Sequence, residues 1–363
     1  MQFFRQVCGF VAVVLLVSSC TEPTPTAHLT GSPSRLSQWG LFSLDSQALQ
    51  PNVATEVYAP ANQLFTDYAH KLRTLYVPTG SQAKLVGDEI DYPLGTVLSK
   101  TFYYPKDSAG NLLKVADTGA KTVNLASNQL IETRVLVRRD VGWEAFPYVW
   151  NDEQTEAFLR VAGASKKLRL KGENESIDFS YFVPNGNQCS GCHVTSHPDG
   201  GMHPLGAVAS QLHAPFSPNE GQLQTSNLVA KGWLDQAPNT SATTSWSDAS
   251  QPIEQRASAY LNMQCGHCHN PEGAADTSAL ILDGSHALAV NMGICKPPIA
   301  AGGGAGNLRY GIHPGKPDES ILMYRMASQK PDEMMPELGR SLAHAEGLDL
   351  VSQWIGAMSG TCQ

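Results

Sequence analysis

The sequence predicts an α+β chain of several domains: an N-terminal antiparallel β domain followed by two mainly α-helical modules. Three observations carry this. Segments between Leu36 and Phe182 alternate polar with apolar residues or are β-branched and aromatic, the habit of half-buried strands. Turn clusters such as Pro78-Thr79-Gly80 and Asp107 to Asn111 separate them. Beyond them lie two copies of Cys-x-x-Cys-His, at Cys189 to His193 and Cys265 to His269, each the nucleus of one module.

The chain divides into residues 1–19, 20–40, 41–182, 183–250 and 251–363. Residues 1–19 read as a lipoprotein signal peptide. Arg5 precedes an apolar run of eleven residues, Val7 to Val17, shorter than the roughly 20 needed to span a bilayer. Val17-Ser18-Ser19-Cys20 looks like a lipobox, which makes Cys20 the lipidation site; the alternative is an ordinary secretory signal with an incidental cysteine. Residues 20–40, with Pro23, Pro25 and Pro33, read as an extended tether. The chain is therefore expected to be exported and lipid-anchored to a bacterial membrane facing the periplasm, or periplasmic. Thr21 favours the outer membrane if the host is Gram-negative.

In residues 41–182 the strands expected are Lys71–Val77, Gly95–Tyr104, Glu132–Arg138 and Ile177–Phe182. A helix is expected from Asn151 to about Val161, with an Asn or Asp cap. Trp143 to Trp150 and Arg138-Arg139-Asp140 have no nucleophile, metal or phosphate-loop spacing, so the domain reads as a scaffold or docking face.

The Cys-x-x-Cys-His pattern is the attachment signature of a c-type haem. Two thiols one turn apart add across the vinyl groups of one porphyrin, and the following histidine supplies the proximal nitrogen. The residues expected to hold two covalently bound haem c groups are Cys189, Cys192 and His193 for the first, and Cys265, Cys268 and His269 for the second. A thioredoxin-like pair does not need the histidine. One zinc on four thiols would have to bridge the 72 residues between Cys192 and Cys265, against about 15–20 in a zinc ribbon.

Distal ligands differ between the two sites. Met335-Pro336, 66 residues after His269, has the methionine-proline form expected of a thioether ligand, so Met335 is assigned to the second iron, with Met334, Met323 and Met326 as alternatives. For the first iron, His197, His203, His213, Met202, Met263 or no ligand remain open. Pro204 is a candidate to offer its carbonyl to the His193 ring. Arg309, Arg325 and Arg340 are candidate partners for haem propionates, although surface arginines are the commoner case. Between the modules, Ser241 to Ser250 reads as a linker. Pro252 opens a helix into the second motif, and Leu348, Val351 and Ile355 mark a closing one.

Of eight cysteines, Cys295 and Cys362 are left after the signal, the lipid site and the four motif thiols, and an oxidising compartment makes them a plausible disulfide. With 25 basic and 33 acidic side chains the net charge is −8, and loss of residues 1–19 removes only Arg5 among the charges. An acidic surface argues against nucleic acid and suits basic or polar redox partner proteins.

Several stretches together resemble bacterial diheme c-type cytochromes of unassigned physiological role with an N-terminal β-rich region. They are Leu64 to Ala69, Pro93 to Val97, Ile131 to Arg134, Gly142-Trp143, Tyr148 to Asn151, Asn187-Gln188-Cys189, Cys265 to Pro271, Gly293 to Pro298 and Met335 to Arg340. The C-terminal part is also similar to planctomycete-type cytochrome c modules. The resemblance implies haem binding and electron transfer by two cytochrome c-like haem modules, and no particular reaction. The function expected is electron transfer in the periplasm or at the membrane surface, with no catalytic residue. The alternative is a diheme peroxidase- or oxidase-like enzyme, a haem-dependent oxidoreductase with an open first site. A third reading is a subunit whose β domain binds a larger redox complex.

Overall fold

The computed structural model describes residues 24–194, 196–216, 221–285, 288–299 and 301–363. The segment expected to be a signal peptide and the expected lipidation site Cys20 lie outside them. No helix among the described residues is long and apolar enough to cross a membrane.

Among the described residues, fourteen strands precede the first α-helix. The early ones are β1 (Phe42–Leu44), β2 (Ala48–Pro51), β3 (Glu56–Val57), β4 (His70–Tyr76), β5 (Lys84–Val86), β6 (Glu89–Asp91) and β7 (Val97–Pro105). There follow β8 (Leu112–Leu113), β9 (Val123–Asn124), β10 (Asn128–Arg139), β11 (Gly142–Trp150), β12 (Ala157–Leu159), β13 (Ala164–Lys171) and β14 (Ser176–Val183). A six-stranded antiparallel sheet, in the order β12-β11-β10-β7-β4-β3, is the frame. Two three-stranded sheets, β1-β2-β9 and β14-β13-β8, and the β5-β6 hairpin stand beside it.

Both faces of the large sheet are covered. One carries Leu72, Val97, Val135 and Val137 into a core with Trp39, Tyr148 and Trp150. There Thr101 Oγ1 meets Thr133 Oγ1 at 2.8 Å, and Trp150 Nε1 donates to Thr133 at 3.0 Å, so the buried hydroxyls are satisfied. The opposite face, with Leu75, Leu98 and Leu136, packs on Ala207, Leu212, Leu228 and Leu234 from the C-terminal half.

The C-terminal half differs from the predicted fold class. Instead of two mainly α-helical modules, the described residues are mainly β, followed by loops that carry six short α-helices. These are α1 (Gly186–His193), α2 (Ala209–Leu212), α3 (Gln224–Ala230), α4 (Ile253–Leu261), α5 (Ile321–Ala327) and α6 (Ala345–Gly356). Only α4 and α6 give an extended helix pair, closed around Tyr260, Leu350, Val351, Trp354 and Ile355. The physical reason lies in composition: glycine, proline, serine and asparagine recur through both segments, and each breaks a helix within a turn or two. The sheet therefore supplies the wall that helices were expected to supply. Cys295 and Cys362 form a disulfide that ties the C-terminal end to a loop 67 positions earlier.

The helix expected at Asn151 is also absent. Asn151 Oδ1 accepts from the backbone N–H of Thr155 and Glu156, and Gln154 takes a left-handed φ of 59°, so the chain turns back into β12.

Residues between β3 and β4 clamp the two halves together. Ala59 N–H donates to Gln224 Oε1 at 2.9 Å and Asn62 N–H to Gln211 Oε1 at 3.0 Å. Phe65 N–H donates to Gln264 Oε1 at 2.9 Å. Asp67 Oδ1 accepts from the N–H groups of both Ser341 and Leu342 at 2.7 Å. Burial pushes the Asp67 carboxyl up to about 6, against the pull of those N–H donors and Arg340.

A raised folded-state value means that Asp67 favours the fold most below its ordinary pKa of 3.8 and loses that contribution as pH rises through about 6. At about 1.4 kcal/mol per unit, the shift amounts to about 3 kcal/mol. Asp67→Asn keeps the Oδ1 acceptor and removes the charge. Urea unfolding between pH 4 and 7 should show wild-type stability falling relative to the variant by roughly that amount; parallel pH curves would refute the assignment.

Candidate functional site: two facing thiol motifs around one cavity

The first motif is a helix in miniature. Asn185 and Gln188 form a reciprocal capping box: Gln188 N–H donates to Asn185 Oδ1 at 2.9 Å, and Asn185 N–H donates to Gln188 Oε1 at 3.0 Å. On α1 the spacing i, i+3, i+4 puts Cys189, Cys192 and His193 on one side of the helix. His193 Nδ1–H donates to the carbonyl of His203 at 2.7 Å, and His203 N–H donates to the carbonyl of His193 at 2.7 Å. A carbonyl can only accept, so the ring is the Nδ1–H tautomer and its Nε2 lone pair is free for a ligand. The sequence placed this acceptor at Pro204; it is the carbonyl one residue earlier, while Pro204 itself lines the cavity.

The second motif leaves α4 through a widened turn at Asn262–Gly266. His269 Nδ1 faces Ser278 Oγ at 3.2 Å, and Ser278 gives its own proton to the Ala275 carbonyl at 2.6 Å. The serine oxygen therefore accepts from the imidazole, and Nε2 is again the free nitrogen. Burial pushes both His193 and His269 down to about 4, helped at His269 by Arg325, so both rings are neutral at pH 7. Among the described residues neither Nε2 has a hydrogen-bond partner.

Cys189, Cys192, His193, Cys265 and Met335 line one cavity of about 1520 Å³, open solvent included. Cys268 sits against the first motif: its Sγ lies 3.6 Å from the Gly191 carbonyl, and it shares a hydrogen bond with Cys192. Acceptance of that bond pulls the Cys192 thiol down, while donation pushes Cys268 up. Burial pushes Cys265 up to about 12. His269 is not among the residues lining this cavity; its ring lies on the Ser278 and Arg325 side of the motif.

Met335 reaches the cavity from a loop held by Arg340. That buried guanidinium donates to the carbonyls of Met335 at 2.8 Å, Ser328 at 3.0 Å, Arg325 at 3.1 Å and Leu342 at 3.2 Å. Met326 also lines the cavity, and Met334 is packed away. Of the candidates for the other distal position, His213 is fully engaged, with Nε2 on the Thr240 carbonyl at 3.0 Å and Nδ1 on Thr225 Oγ1 at 2.8 Å. His197, His203 and Met202 do not line the cavity, whereas Met263 does.

The sheet supplies residues that the sequence did not single out: Arg73, Lys100 and Arg134 line the cavity beside Leu98 and Leu136. Phe65 stacks on His344, ring centres 4.3 Å apart, and both face the same space. A largely apolar cavity lined by thiols one turn apart, a neutral imidazole, a thioether and several cations suits a covalently held porphyrin. Among the described residues, no group of three or more His, Cys, Asp or Glu is placed to hold a bare metal ion.

No protein-family model, curated protein or solved structure matches the chain.

Gly266, between the paired thiols, has a packing reason to be glycine. A Cβ there would sit 2.8 Å from Asp283 Cα and 3.1 Å from the Leu282 carbonyl, both backbone atoms. Gly266→Ala should destabilise the fold by about 1–3 kcal/mol, as overpacking does, read as a lowered urea midpoint with an unchanged slope. A neutral substitution would show that the turn is looser than this.

Proposed function

We propose that the chain is a diheme c-type cytochrome: an exported electron-transfer protein with one haem on Cys189 and Cys192 and a second on Cys265 and Cys268. His193 and His269 would be the proximal ligands, and Met335 the distal ligand of the second iron. The observation that carries this is the pair of rings with Nδ1–H anchored and Nε2 free, each directly after a two-thiol turn. The group itself supplies a one-electron iron centre. The protein's part is to fix the imidazole orientation, exclude water and set the charge around the porphyrin.

Contact between Cys192 and Cys268 favours a relay. Groups carried on neighbouring sulfurs need little intervening protein to exchange an electron. The partners proposed are redox proteins, with attachment to the membrane through lipid on Cys20 and the body facing the periplasm. A haem-dependent peroxidase or oxidase is the competing outcome, and the first iron decides it. Two low-spin centres indifferent to peroxide support the carrier; a high-spin first centre that reacts with peroxide supports the enzyme.

Protein made with a cytochrome c maturation system should have the mass of the processed chain plus two haem groups. Cys189→Ala with Cys192→Ala should remove one, and Cys265→Ala with Cys268→Ala the other. A colourless wild-type protein of polypeptide and lipid mass alone ends the proposal.

Ser278→Ala tests the second site separately. Without its acceptor the His269 imidazole is a weaker donor to iron, so the reduced state is favoured. The second potential should rise by up to about 59 mV, a tenfold change for a one-electron couple, while the first stays in place. A shift confined to the first potential would contradict the assignment of His269.

A further inference from the structure

The large sheet holds three cations in one row. In register across three neighbouring strands, Arg73 on β4 pairs with Lys100 on β7, and Lys100 pairs with Arg134 on β10. The rows on either side are of different character: Leu75, Leu98 and Leu136 on one flank, and Lys71, Phe102 and Glu132 on the other. All six positions of the cation and leucine rows lie on the face covered by the C-terminal half, and the cations line the cavity.

Like charges directly opposite on adjacent strands destabilise a sheet, and more so away from water. The local compensation is incomplete. Arg134 is matched by Glu132, with Nη2 on Oε1 at 2.6 Å and Nε on Oε2 at 2.9 Å. Glu132 is fully buried and also accepts from Tyr181 Oη at 2.6 Å. Arg73 hydrogen-bonds a neutral partner, Gln63 Oε1 at 3.2 Å, and the Asp117 carboxylate acts on it electrostatically. Lys100 has no hydrogen bond or ion pair among the described residues; its Nζ stands 5.2 Å from the centre of the Phe102 ring. Burial and the neighbouring Arg134, Arg73 and Lys71 hold its ammonium well below the ordinary lysine range. Among the described residues Glu132 is therefore the one carboxylate in direct contact with the row, which borders a largely apolar space. Such a row is complete only with anions from a ligand that also brings a large apolar body.

We infer that Arg73, Lys100 and Arg134 form a propionate clamp for the haem carried by Cys189 and Cys192, so that the β domain is half of that haem site. This rests on the diheme reading above. Both Lys100 and Arg134 act electrostatically on Cys189, and Lys100 also acts on His193, which puts the row at the first motif. The arginines of the C-terminal half are otherwise engaged: Arg340 is spent on four carbonyls, Arg325 donates to the Glu333 carbonyl, and Arg309 is exposed over Tyr310.

The test uses the holoprotein, with haem counted by mass and both potentials titrated across pH. Lys100→Met removes the cation and keeps the apolar stem; Lys100→Arg restores the charge. The reduction equilibrium of the first centre should shift about tenfold towards the oxidised form in Lys100→Met, about 59 mV at one electron. The second centre should not move, and Lys100→Arg should return to the wild-type value. If Lys100→Met instead loses the first haem and Lys100→Arg keeps it, the clamp is equally supported. The inference is overturned if Lys100→Met keeps two haems at wild-type potentials, or if Lys100→Arg behaves like Lys100→Met. A wild-type protein without haem would overturn the parent proposal instead, so the two failures are separable.

Discussion

The loop between β3 and β4 is where the two halves of the molecule become one. From Ala59 to Asp67 it hands backbone N–H groups in turn to Gln224, Gln211 and Gln264, and its Asp67 carboxylate accepts from the turn at Ser341 and Leu342. Each contact joins a main-chain group to a side chain more than 140 residues away in sequence. Buried polar groups of this kind must be matched or they cost about 1–3 kcal/mol each. The correct docking of the loop-rich half is therefore selected by the groups that a wrong docking would leave unmatched. The same loop offers Pro60, Leu64 and Phe65 to the cavity, so the element that joins the halves also shapes the space between them.

This arrangement explains how a C-terminal half with so little helix holds two motifs in place. A chain of short turns has no stiffness of its own, and its positions must come from attachments. Tyr92 Oη holds the Ala207 carbonyl, Asp88 holds Ser210, and the Ala83 strand edge pairs with Leu234. At the far end the disulfide pins Cys362, and Arg340 gathers four carbonyls around the Met335 loop. Where the chain has to be precise it is tied at a point, rather than carried on a long element.

The parts of this picture legible in the sequence are those where chemistry dictates spacing. Two thiols and a histidine at fixed intervals announce themselves, and so do strands such as β4, β7 and β10, whose alternation has a period of two. Alternation alone does not say what covers the second face. Lys71, Arg73, Lys100 and Arg134 look like the solvent side of ordinary half-buried strands, yet Arg73 is only 5 % exposed. A signal was present: strands with cations on one face and little acid to balance them, in a chain that is acidic overall. The helical expectation for the C-terminal half failed for a related reason. A motif usually carried by helices does not bring its helices with it, and the glycine, proline and serine around it favour turns.

The contact between Cys192 and Cys268 gives the last step. Two separately folded modules joined by a linker would hold their motifs at a distance set by chain flexibility, and any exchange between them would vary with it. Here the motifs touch, and the sheet with its β3–β4 loop fixes the pair from outside. The asymmetry around them is equally fixed. The cavity that both motifs enter is lined by a row of cations on a rigid sheet and by a methionine on a loop. A buried cation beside a redox centre favours its reduced state, because reduction lowers the positive charge at that place. A thioether ligand also favours reduction. If the two motifs carry haem as proposed, the cation row and the thioether would each raise the potential of one centre, by different means.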